Sequence, residues 1–187
     1  VRLRGDKLKA LAQSRGVTRE QLAAAVQRTG LEGEAAHRAV GNWLSGRDHP
    51  RCKASDIARL AEALECAPKD IAMFVSRVRF HRGSPRKARL LVDLVRGRSV
   101  DQARTLLAFN TRRAAVNVRK ALDAAVSDAI QADADETRLV VSLCAVDDGP
   151  RIKRFQPKDR GRAHPILKRL AHITVGVAER EGGRKGR

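Results

Sequence analysis

The sequence predicts an α+β protein: three helices packed on a small antiparallel sheet with a long extended β-hairpin, preceded by a small all-α domain. Three observations carry this. Apolar residues recur at helical spacing in separate blocks, two segments near the C-terminus read as strands, and the stretch between those strands is too charged to be buried.

Composition sets the frame. With 187 residues the chain can hold one ordinary domain or two small ones, and 42% hydrophobic residues suffice for a packed core. Aromatics are only 3%, with no Tyr, so the core must be aliphatic and stacking on aromatic rings cannot be the main way of holding a nucleic acid. The formal net charge of +18 calls for a polyanionic partner. Arg heavily outnumbers Lys, which favours bidentate contacts to phosphate. The charge is uneven: residues 1–75 hold 13 basic and 9 acidic side chains, residues 76–187 hold 26 and 12. We therefore expect a helical extension over 1–75, a core over 76–181 and a basic tail over 182–187.

Several function classes are disfavoured. Cys52, Cys66 and Cys144 form no C-x-x-C pair, and the five histidines show no H-x-x-x-H spacing, so no metal, disulfide framework or cofactor is expected. No apolar run approaches the ~18–20 residues of a membrane span and no signal peptide is recognisable, so a cytoplasmic location without membrane contact is expected. No carboxylate cluster, phosphate-cradling glycine loop or nucleophile with a base is present, so no catalytic residues are assigned and an enzyme is not expected. Ser84 reads as a helix cap, and Asp147-Asp148 as a turn before Gly149-Pro150 rather than a metal pair.

Residues 1–75 read as short helices: Lys7 to Ser14, then one opened by a Thr18-Arg19-Glu20-Gln21 capping box and ending near Gly30, then about Glu34 to Leu44. Ser55 is expected to cap a fourth helix and Pro68 to open a short fifth. Gly16-Val17-Thr18-Arg19-Glu20-Gln21-Leu22-Ala23, Asn42-Trp43-Leu44-Ser45-Gly46-Arg47 and the Ile57–Leu64 helix resemble the helix-turn-helix of Cro- and phage-repressor-type regulators. That resemblance implies, as an alternative function, a DNA-binding regulator. It departs from the pattern in a longer turn over Gln27 to Glu34 and in a third helix poor in groove-reading side chains.

Beyond Val75, Arg77-Val78-Arg79-Phe80 alternates as an edge strand would. Ser84-Pro85 starts a helix with Ala88, Leu91, Val92 and Val95 on one face and Arg86, Arg89 and Arg96 on the other. Ser99-Val100-Asp101-Gln102 boxes a second, and Thr111 is expected to cap a longer third. Leu139–Val146 is apolar on both faces, while Ala171, Ile173, Val175 and Val177 alternate inward. Between the strands, residues 151–170 carry eight basic side chains and the single acid Asp159. If both strands continue as a hairpin over about 147–168, turning near Arg160-Gly161, each arm of about 15 residues could reach ~50 Å. So charged a ribbon should be ordered only when phosphates surround it. His172 reads as an outward strand residue.

Ser84-Pro85-Arg86-Lys87-Ala88-Arg89-Leu90, Asp147-Asp148-Gly149-Pro150, Lys153-Arg154-Phe155-Gln156-Pro157-Lys158, Gly161-Arg162-Ala163 and Lys168-Arg169 with His172-Ile173-Thr174-Val175 resemble ribosomal large-subunit protein twenty-two. The likeness spans about residues 76–180. It implies a structural protein that binds large-subunit rRNA during assembly and lines the polypeptide exit tunnel with its hairpin. The implied partners are that rRNA, neighbouring large-subunit proteins and the nascent polypeptide, with no free homo-oligomer. Implied rRNA contacts are Arg86, Lys87, Arg89, Arg151, Lys153, Arg154, Lys158, Arg160, Arg162, Lys168 and Arg169. The implied hairpin tip is Lys158, Asp159, Arg160, Gly161 and Arg162. Residues 1–75 would be an accessory rRNA or protein contact.

Overall fold

The computed structural model describes residues 1–180. They form two compact units: residues 1–74 with 132–134, and residues 75–131 with those from 135 onward. The basic tail expected at 182–187 lies outside the described residues.

The first unit contains β1 (Arg2–Leu3), α1 (Gly5–Arg15), α2 (Arg19–Ala25), α3 (Gly33–Leu44), α4 (Ala54–Ala63), α5 (Pro68–Ile71) and the start of β2 (Ala72–Arg82), which pairs with β1. Leu8, Leu22, Val40, Trp43, Leu60 and Leu64 are its buried centre. Gly5 admits this packing: a Cβ there would sit 2.3 Å from the Trp43 carbonyl oxygen, so any side chain would push α1 off α3. The capping box at α2 is present, with Gln21 N donating to Thr18 Oγ1 at 3.4 Å and Thr18 N to Gln21 Oε1 at 2.9 Å.

Two expectations fail here. Helix α2 stops at Ala25 rather than near Gly30, because Arg28 and Leu31 exchange backbone bonds of 3.1 and 2.7 Å in a tight turn. Ser55 does not cap α4. The cap position is Lys53, whose N–H donates to Asp56 Oδ2 at 2.9 Å. Asp56 is fully buried and lies 3.2 Å from Arg28 Nε, an ion pair without hydrogen-bond alignment.

The second unit holds the rest of β2, α6 (Pro85–Val95), α7 (Val100–Ala108), α8 (Ala114–Ile130), β3 (Leu139–Pro157) and β4 (Ala163–Glu179). Its sheet runs β2-β4-β3, with β3 and β4 antiparallel. Helix α6 packs on β3 and α8 on β4. The α6 stripe Ala88, Leu91, Val92 and Val95 is wholly buried, as is Val118, Leu122, Ala125 and Ala129 of α8. Arg104 ties the helices together, reaching Asp123 at 3.1 Å and Glu136 at 2.6 Å.

Cap chemistry again differs in places. Ser99 Oγ accepts from Gln102 N at 3.4 Å as expected, but Ser84 makes no side-chain cap bond. Thr111 is not the cap of α8, which begins at Ala114 after Arg113; instead Asn110 Oδ1 accepts from Arg112 N at 3.1 Å.

The β3–β4 ladder explains why Leu139–Val146 looks apolar on both faces. A bulge between Val141 and Leu143 inserts Ser142, so Leu139 and Val141 face the helices before it and Cys144 and Val146 after it. Opposite, Ala171, Ile173, Val175 and Val177 are fully buried. A second bulge, between Asp148 and Arg151, contains Gly149-Pro150. Asp147-Asp148 therefore lies in a strand and not in a turn. A Cβ on Gly149 would meet Leu170 Cβ at 3.0 Å and its backbone at 3.1 Å, so a side chain there would have to displace Leu170 by a few tenths of an ångström, and glycine suits the close crossing.

Body and ribbon divide at this bulge. Beyond it no residue of 151–157 or 163–169 is buried. Deleting residues 152–164 is thus expected to leave the unfolding midpoint of the second unit within a few degrees of the intact chain, read by calorimetry; loss of cooperative unfolding would contradict the division. Leu122→Ala is expected to destabilise that unit by about 2–5 kcal/mol in denaturant titration, and a change under ~1 kcal/mol would place Leu122 outside the core.

Candidate nucleic-acid interface

The free ribbon consists of seven cross-strand pairs, from Arg151 opposite Arg169 to Pro157 opposite Ala163. At ~3.3 Å per residue it spans roughly 23 Å. This is less than half the expected ~50 Å, because the first part of each strand is built into the body. Its tip is a single turn at Asp159–Gly161, closed by Lys158 N donating to the Arg162 carbonyl at 2.7 Å. Arg160 and Gly161 both take positive φ, 53° and 70°. Gly161 adopts this freely, whereas Arg160 does so at a cost of about 1–2 kcal/mol.

Electrostatics separate ribbon from body. In the body, cations are partly used internally. Arg77 pairs with Asp147 at 3.2 Å, Arg96 Nη2 donates to the Cys144 carbonyl at 2.9 Å and pairs with Asp93 at 3.0 Å, and Arg89 Nη2 donates to the Val146 carbonyl at 3.2 Å. Arg89 and Arg96, read from sequence as the face of the helix opposite its apolar stripe, thus also tie α6 to β3. In the ribbon Arg151 reaches Asp148 only at 3.9 Å. Lys153, Arg154, Lys158, Arg160, Arg162, Lys168 and Arg169 have no ion pair among the described residues.

Clefts collect the expected residues at the ribbon's base. One takes Arg86 and Arg89 from α6 together with Arg151 and Arg169 from the ribbon, with Asp147 and Asp148 also in its lining. A second, of about 570 Å³, joins Arg154, Lys168 and Arg169 to Arg82 and Arg113, with no acid in its lining. Lys87 lines an adjoining cleft. Lys158, Arg160 and Arg162 stand apart at the tip.

Arg82, Arg112 and Arg113 are the contributors that the sequence reading missed. A signal was there: Arg112-Arg113 directly precedes α8, at the positive end of the helix dipole, where anions are favoured. His172 also has more than an outward position. Its Nδ1 accepts from Phe80 N at 3.1 Å, and the two rings meet edge-on at 4.9 Å, joining β2 to β4.

Among the described residues no cluster of His, Cys, Asp and Glu could hold a metal, and no helix is long and apolar enough to cross a membrane. Burial pushes the Cys52 thiol up to about 12 and the Cys144 thiol up to about 11, which keeps both protonated and unreactive at neutral pH.

Comparison with known proteins follows the same boundary. The family model described as Ribosomal protein L22p/L17e matches residues 76–178. The Large ribosomal subunit protein uL22 of Thermus thermophilus is 47% identical over 105 residues, covering 56% of this chain and 93% of that relative. On this match the chain belongs to the ribosomal protein L22p/L17e family.

Proposed function

We propose that this protein is a non-catalytic structural constituent of the large ribosomal subunit that binds large-subunit rRNA and supports assembly of the particle in the cytoplasm. The observation that carries the reading is the ribbon: exposed cations, all but Arg151 without an ion pair among the described residues, on a ladder continuous with the body. Phosphates packed around such an arm would supply the countercharge it lacks. By family likeness, the ribbon lines the polypeptide exit tunnel, with Lys158 to Arg162 nearest the nascent polypeptide and neighbouring ribosomal proteins against the body.

Residues 1–75 form an accessory contact, to rRNA or to a neighbouring protein. Their α2–α3 arrangement resembles a helix-turn-helix, but the helix that would enter a groove starts between Glu32 and Glu34, and Arg38 already faces Glu34 at 3.9 Å. Acids there oppose an approaching phosphate backbone, which disfavours DNA reading through α3.

Binding of the full chain to large-subunit rRNA, measured across salt concentrations, tests the reading. Affinity is expected to fall linearly on a log–log plot, and each ribbon cation replaced by Gln (Lys153, Arg154 or Lys168) is expected to make the slope shallower by about one. A flat salt response, or a cellular pool sedimenting with DNA instead of large subunits, would contradict it.

A further inference from the structure

Most cations of residues 1–74 are engaged within that unit. Arg4 pairs with Asp6, Arg28 with Asp56 and Arg38 with Glu34, while Arg19 donates to the His37 carbonyl and Arg59 to the Gln27 carbonyl. Among the described residues, the side chains of Arg2, Lys9, Arg47, Arg51 and Lys53 make no hydrogen bond or ion pair. Three of these five fall in one stretch, the connection from α3 to α4.

That connection is held in a single shape. Asn42 Nδ2 donates to the His49 carbonyl at 2.8 Å and Trp43 Nε1 to the Pro50 carbonyl at 2.7 Å. Arg47 N donates to the Asn42 carbonyl at 2.8 Å, and Cys52 N to Asp48 Oδ1 at 2.9 Å. Cys52, 2% exposed, anchors the far end. Pinned in this way, the backbone leaves Arg47, His49, Arg51 and Lys53 exposed and turns Pro50 and Cys52 toward the protein. The one acid of the stretch, Asp48, is engaged by the Cys52 N–H. A loop already in its bound shape loses little conformational freedom when a ligand arrives.

Folding does not account for these charges. The C-terminal end of α3 favours Arg47 by about 0.3–1 kcal/mol. Lys53 stands at the N-cap of α4, where Ser, Thr, Asp or Asn is preferred and the helix dipole repels a cation. Arg51 has no compensating neighbour at all among the described residues.

The surrounding surface selects the partner. Protein interfaces centre on aromatic and aliphatic anchors. Among residues 1–74, Val1 is the only exposed large hydrophobic side chain. A phosphate backbone needs no such anchor, since charge alone holds it. The acids at the start of α3, which oppose phosphate, stand ~18 Å away, the length of that 12-residue helix.

We propose that residues 47–53 are a preformed contact to the rRNA backbone, with Arg47, Arg51 and Lys53 each on a phosphate. This rests on the rRNA-binding reading, and it assigns residues 1–75 to rRNA and not to a neighbouring protein.

The three side chains are exposed and unpaired, so the Arg47→Gln/Arg51→Gln/Lys53→Gln variant of the full chain should fold. Its affinity for large-subunit rRNA is expected to fall about tenfold or more, with a salt slope shallower by about two to three. Arg47→Lys/Arg51→Lys, which keeps the charge, is expected to retain the slope. An unchanged slope in the Gln variant, while Lys153→Gln/Arg154→Gln flattens it, would overturn the loop contact and leave the rRNA reading standing. Failure of the unmodified chain to bind rRNA would overturn the reading itself. The unmodified chain is tested separately in assembled large subunits, by ultraviolet cross-linking and mass spectrometry. RNA adducts are expected on the peptide carrying residues 47–53. Adducts on residues beyond 75 with none on 47–53 would overturn the proposal, and a chemical cross-link from Lys53 to a neighbouring protein would then make that protein the partner.

Discussion

The β3–β4 ladder is the interaction on which the rest depends. A single antiparallel pairing runs from Leu139 opposite Glu179 to Pro157 opposite Ala163, and it serves two environments. Below the Gly149-Pro150 bulge its side chains form one wall of an aliphatic core, where α6 and α8 close over Val141, Ile173 and Val175. Above it the same backbone bonds continue with nothing buried. The body therefore fixes the direction and register of an arm that has no core of its own.

Magnitudes show why the two halves behave differently toward charge. Like charges directly opposite on a sheet, as at Arg151 and Arg169, destabilise by roughly 0.2–1 kcal/mol, and a cation at a helix N-terminus by about 0.3–1 kcal/mol. A domain of ordinary stability, about 5–15 kcal/mol, absorbs several such terms. The body can thus carry Arg86, Lys87, Arg112 and Arg113 in unfavourable places and still fold. A two-stranded ribbon is marginal in water even without repulsion. For it the same terms decide the outcome, and surrounding phosphate reverses their sign.

Much of the fold was legible from sequence where the signal is local and periodic. The alternation of Ala171, Ile173, Val175 and Val177, the Thr18–Gln21 box and the Ala88–Val95 stripe each appear as read. Failures have physical causes. The bulge at Ser142 swaps the inward face of β3 partway along, so a two-sided core strand could not be told from a shifted one-sided strand. Asp56 caps α4 from inside the helix because it is also held near Arg28 from a distant turn, which local rules favouring Ser55 cannot see. The site divided in the same way. The ribbon cations are contiguous in sequence and were found, while Arg82, Arg112 and Arg113 converge from two separate segments and needed the fold to bring them beside Arg154 and Lys168.

The most direct measurement is amide hydrogen exchange over residues 151–157 and 163–169, in the free full chain and bound to large-subunit rRNA. Exchange in the free chain is expected to be fast across these residues while Ile173 and Val175 stay protected, and RNA is expected to slow it markedly. Ribbon amides as protected as Ile173 without RNA, and unaffected by its addition, would contradict an arm held in shape by polyanion.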